Sequence, residues 1–162
     1  GHRVAPVRPG LTPLVTDDRL VQPLQGVTLP AARLRLGRHA ADGPILFAHF
    51  GLTGPAALDM SLALDALPAE VALCLAPGRT VEEVESRLLV SPGDGGGPVR
   101  LAARLADGLP RRVAAQVMAH LGIDREMTLN RLTQNDRRRL VRCLTGHPIR
   151  VEIGRGSCRE RV

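Results

Sequence analysis

The stretch Gly43–Met60 reads GPILFAHFGLTGPAALDM, and the layout of the whole chain follows from it. Ile45-Leu46-Phe47-Ala48 is a short apolar run bounded by turn residues, the signature of a buried strand. It leads into His49-Phe50-Gly51-Leu52-Thr53-Gly54-Pro55. Two glycines three positions apart suit a sharp reversal, because Gly alone takes positive φ without steric cost. Thr53 or Gly54 is a candidate N-cap, and Pro55 fits the first helical position of a short helix running on from Ala56. Strand, glycine turn and helix N-terminus together aim backbone N–H groups and a positive dipole end at one spot, an arrangement suited to an anionic or electron-rich ligand group. His49, Gly51, Thr53 and Gly54 are therefore the candidate site residues. His49 is titratable near neutral pH, and Thr53 carries a hydroxyl that could reach across the turn. The structural alternative stays open: His49 packs beside Phe50, and Thr53 merely caps the helix. No Gly-Lys-Ser/Thr follows, so this is not a phosphate loop, and no Gly-x-Gly-x-x-Gly occurs in the chain.

Upstream, four prolines between Pro6 and Pro23 predict an extended, largely non-helical start. Asp17-Asp18 reads as a turn between Leu14-Val15 and Leu20-Val21. Val27 to Leu36 alternates partially, with Pro30 interrupting, and Arg33 and Arg35 fall opposite Leu34 and Leu36, as in a half-buried antiparallel strand. Gly37 to Gly43 reads as a polar turn, so the central strand is expected over Pro44–His49. Downstream, Val71-Ala72-Leu73-Cys74-Leu75 is a strand closed by Pro77-Gly78. The period then changes. Thr80-x-x-Glu83 is a capping box opening a helix to about Leu89. Ser91 to Pro98 reads as a loop, and Val99 to Leu105 as a short helix. Pro110 to Leu121 carries an apolar stripe of Val113, Val117 and Leu121. Thr133-x-x-Asp136 caps a helix through Leu144. His147-Pro148 turns into a returning strand, Ile149–Glu152. The expected fold class is α+β: an antiparallel, barrel-like β-rich subdomain (1–78 plus 147–152) with a small helical subdomain (79–146) inserted in it.

The composition narrows the function classes. All 22 basic residues are Arg, in a chain rich in Ala, Gly, Pro and Leu, which reads as a codon-usage bias more than as a nucleic-acid footprint, despite the net charge of +6. Aromatic residues are confined to two Phe, so the core must be aliphatic. No run reaches the ~18 apolar residues of a membrane helix. Three Cys without a signal peptide point to a reducing, cytoplasmic setting. His2, His39, His120 and His147 are scattered without the spacing of a zinc site. Cys74 and Cys143 read as small core residues. The alternative class is an Arg-rich binding module, with Arg137, Arg138, Arg139 and Arg142 contacting nucleic acid or an acidic partner; no aromatic platform stands nearby to stack bases.

The wording GPILFAHFGLTGPAALDMS resembles a signature of a bacterial family of FAD-dependent oxidoreductases, the NAD(P)/FAD-dependent or aminoacetone oxidase-like flavoproteins. GHRVAPVRPGLTPL at the start and GVTLPAARLRL from Gly26 resemble further segments of that family, in the same order. The resemblance covers Gly1 to about Glu152. It implies FAD as cofactor of an intact parent, NAD(P)H as a source of reducing equivalents, and a place for this stretch in an insert facing the flavin cleft. It also implies that the glycine fingerprint precedes Gly1 and that a second flavin-contacting region follows the return strand. The chain is thus expected to be an insert region that needs the remaining FAD-binding domain as its partner and is inactive alone. Residues 153–162 resemble a translated sequencing adapter, and setting aside their three Arg and one Glu brings the net charge from +6 to +4.

Overall fold

The computed structural model describes residues 11–90 and 97–153. Six strands close into an antiparallel barrel in the order β1-β4-β3-β2-β5-β6. They are β1 (Leu14–Val15), β2 (Thr28–Leu36), β3 (His39–Ala48), β4 (Gly51–Thr53), β5 (Ala69–Cys74) and β6 (His147–Ile153). Five helices complete the described fold: α1 (Pro55–Ser61), α2 (Val81–Arg87), α3 (Leu101–Ala106), α4 (Arg111–His120) and α5 (Gln134–Gly146). The fold is α+β, and α2–α5 all lie in sequence between β5 and β6, as an insertion in the barrel.

Closure follows from alternation. Leu34 on β2, Ile45 and Phe47 on β3, Val71 and Leu73 on β5, and Ile149 and Val151 on β6 are all fully buried, while their sequence neighbours, Cys74 apart, are more exposed. In a chain with so few aromatics, Phe47 is the largest side chain in this aliphatic core. Proline interrupts β2 as expected. The β2–β3 register slips between Leu29 and Ala32, a bulge at Pro30-Ala31, because Pro has no N–H to give to the ladder.

Several boundaries differ from the sequence reading. The polar turn expected over Gly37–Gly43 shrinks to Gly37-Arg38, and β3 begins at His39. Its polar start is the outward face of a strand: Asp42 lies opposite Arg33 and accepts from its Nε at 2.6 Å, while Ala41 points inward. The reversal after β3 is made by His49-Phe50, and a further strand, β4, was missed because three residues are too short for periodicity to register. The expected His147-Pro148 turn is absent, since α5 ends at Gly146 and β6 starts directly at His147.

The helix starts were the more legible feature. Thr80 accepts from Glu83 N at 3.2 Å, and the Glu83 carboxylate accepts from Thr80 N at 2.7 Å, completing the capping box of α2. Thr133 caps α5 by accepting from Asp136 N at 3.1 Å. Pro110 is itself the N-cap of α4, whose Val113, Val117 and Met118 are buried. The loop expected from Ser91 lies mostly outside the described residues, as does all of the adapter-like tail but Ile153. Among the described residues no helix is long and apolar enough to cross a membrane.

Candidate functional site

The β3–β4 hairpin gathers the four residues singled out above. His49 is exposed at its tip, with its ring edge-on to Phe50 at 5.0 Å between centroids. Thr53 is not the helix cap: it lies in β4 opposite Leu46, and Gly54, at φ 99°, is the N-cap of α1. The two glycines answer to sterics. A Cβ on Gly51 (φ 143°) would collide with the Leu14 carbonyl oxygen and lie 2.8 Å from Thr16 N. One on Gly54 would lie 2.9 Å from the Pro44 carbonyl oxygen. Both positions are close crossings of backbone on backbone that no side chain fits. The opening turn of α1 is also covered, with Ala56 and Ala57 fully buried and Gly43 of β3 packed over Ala56 N. The helix end expected to face a ligand therefore faces β3.

What the tip does border is a groove of about 450 Å³ lined by Thr16, Asp17, Gln22, Phe50, Arg150 and Glu152. Its wall is held by backbone and amide bonds: Thr16 N donates to Phe50 O at 3.0 Å, and Gln22 Nε2 donates to Thr16 O at 2.7 Å. Opposite charges on Arg150 and Glu152, two apart on the outer face of β6, give it polar character.

A second polar constellation adjoins this segment, and the sequence reading missed it. The Asp18 carboxylate lies 3.1 and 3.2 Å from His147 Nε2 and also accepts from Leu20 N at 2.8 Å. His120, near the end of α4, stands edge-on to His147 with centroids 5.0 Å apart. Burial alone would raise the Asp18 pKa, but the His147 hydrogen bond and the Leu20 and Val21 N–H groups outweigh it and hold the carboxyl below its ordinary value. Burial and the neighbouring His147 lower the His120 pKa. Gln116 Nε2 donates to Arg19 O at 2.9 Å, so the residue 18–24 segment is where α4 meets the barrel. These histidines are far apart in the chain, and only the tertiary fold brings them together. No group of three or more ligating side chains among the described residues has metal-site geometry.

Both cysteines that read as core residues are buried and free, and burial pushes the Cys143 thiol up to about 12. The arginines of α5 are divided in their commitments. Arg139 donates to Asp136 Oδ1 at 3.1 Å and to Leu121 O at 2.7 Å, and Arg137 Nε is buried, while Arg138 and Arg142 are exposed.

FAD needs a cradle for its pyrophosphate, and the described residues offer none. The glycine fingerprint is absent, the barrel interior is filled by side chains, and the first turn of α1 is buried. Residues 8–160 match the family model described as HI0933-like protein barrel and H2TH domain, a span that also runs through most of the adapter-like tail. Its barrel corresponds in kind to the closed six-stranded sheet. The chain belongs to the HI0933-like proteins, a family related to the FAD-dependent oxidoreductases.

Proposed function

We propose that this unit is the insert of an FAD-dependent oxidoreductase, flanking the flavin and substrate cleft while other segments of the parent protein hold the cofactor. One observation carries the reading: the first and last strands are neighbours, with Leu14 paired to Ile153 and Val15 to Glu152. A unit whose entry and exit strands pair side by side can be spliced into a host domain without distorting either. Membership in a flavoprotein-related family supports a flavoprotein as the host. On this reading FAD is held by that host, and this unit is inactive alone.

Within that arrangement the exposed His49-Phe50 tip and its polar groove are the face offered to the cleft. The barrel excludes water on one side of a bound substrate, and the helical insertion buttresses it. In the intact protein FAD supplies the redox chemistry, with NAD(P)H as the proposed reductant. The buried free thiols of Cys74 and Cys143 suit a reducing cytoplasm.

The reading is tested by mixing the 162-residue chain with the FAD-loaded remainder of an HI0933-like flavoprotein from which this unit has been deleted. Association that shifts the flavin absorbance, weakened by His49→Glu at the tip, is the expected result. A flavin domain that neither binds this chain nor changes its spectrum overturns it.

A further inference from the structure

A second cavity lies between the barrel and the helical insertion. It originates in a defect of the sheet. β5 pairs with β2 only from Arg33↔Cys74 to Arg35↔Ala72, and then bends away so that Leu75 N and Ala76 N both donate to Leu144 O of α5, at 2.8 and 3.2 Å. On the other edge of β2, pairing with β3 is interrupted by the bulge at Pro30-Ala31. Pro30 and Ala31 are thus without a strand neighbour on either side among the described residues. A wedge-shaped cavity of about 450 Å³ opens there, within the size range of small-molecule sites.

Its chemistry is two-sided. The floor is aliphatic, with Leu29, Leu75, Val84, Leu105 and Leu109 presenting apolar surface. The rim is cationic. Arg87 is bridged to Asp107, but the Arg79 guanidinium lies across the α3–α4 turn, its nitrogens 3.3 and 3.4 Å from where a Cβ on Gly108 would sit. Among the described residues Arg79 has neither a carboxylate nor a carbonyl partner. An unpaired guanidinium at the mouth of an apolar wedge matches a ligand with an anionic head and a hydrocarbon body, because the fork of N–H donors fits a carboxylate and the wedge removes the tail from water.

We propose that the wedge between the Pro30-Ala31 bulge and α2–α3 binds a small amphipathic carboxylate, with Arg79 holding the head group and the leucine floor the chain. The site stands independently of the insert reading, since neither the β3–β4 tip nor a flavin domain takes part. The experiment is calorimetric titration of the 162-residue chain with octanoate and, separately, with octanol. Octanoate is expected to bind more tightly than octanol. Arg79→Gln, at an exposed position that leaves the core untouched, should weaken octanoate about tenfold or more while changing octanol little. Ala31→Trp, filling the wedge from its exposed bulge, should weaken both. Octanoate failing to bind the unaltered chain overturns the proposal, as does an octanoate-to-octanol ratio unmoved by Arg79→Gln. Full octanoate affinity in a folded Ala31→Trp variant, verified by circular dichroism, overturns the location.

Discussion

The β3–β4 hairpin and the α5–β6 junction make an instructive pair. At the hairpin, glycines let three stretches of backbone approach closely, and the titratable His49 stays exposed beside Phe50. At the junction no motif announces anything, yet Asp18, His147 and His120 are half-buried and electrostatically coupled. The difference teaches that a dense local motif can encode a steric requirement, whereas polar coupling arises wherever distant segments are folded together. The hairpin should therefore be fragile to added volume, and the junction sensitive to pH.

The largest effect expected from breaking this contrast is at Gly51. Gly51→Ala forces a Cβ against the Leu14 carbonyl in a backbone conformation strained for any L side chain, and should cost about 4 kcal/mol by denaturant melting. A loss under about 1 kcal/mol would mean that the β1–β4 crossing is looser than described.

Next comes Asp18→Asn, which leaves His147 beside a neutral amide at a site only 12% and 18% exposed on its two sides; about 2 kcal/mol of stability should go. The same junction contributes to the response to acid. His120 binds a proton less readily folded than unfolded, so its contribution is complete above the ordinary histidine value of about 6.5 and is lost as the pH falls through its lower folded value. Asp18 likewise contributes above its unfolded value of about 3.9 and ceases to as the pH falls through its depressed folded one. Stability measured against pH should decline in two stages on acidification. His120→Gln should diminish the upper stage and Asp18→Asn the lower. A profile unchanged by both substitutions would dissolve the contrast.

Smaller effects follow at positions where one hydrogen bond or one exposed ring is at stake. Thr80→Ala removes half of the α2 capping box and should cost about 1 kcal/mol in thermal melts. His49→Ala should change stability by less than about 0.5 kcal/mol, because its ring is exposed and lies edge-on to Phe50 at the hairpin tip. A larger loss there would show His49 to be a structural residue.

How far the sequence could be read depended on the range of the interaction involved. Helix starts at Thr80 and Thr133 were legible because a cap and its partner lie three residues apart. Strand faces in β2 and β5 were legible because alternation is local, and so was the insertion of helices between β5 and β6. The true start of β3 was not: His39 to Asp42 is polar because it faces solvent across from Arg33, a fact of pairing and not of composition. β4 was hidden because two of its three residues take their role from contacts with β1 and β3. Of the candidate site, Gly51 and Gly54 were expected to make a sharp reversal, but the chain reverses at His49-Phe50, the two glycines sit where backbone crosses backbone, and Thr53 pairs in a strand. The Asp18–His147 pair spans 129 residues of chain, beyond any spacing rule.

The central claim is that this unit borders a flavin site without possessing one. Titrating FAD into the 162-residue chain while following flavin fluorescence and absorbance tests it most directly. The account predicts no saturable, stoichiometric change in the flavin signal. A tight one-to-one complex with a perturbed flavin spectrum would contradict it.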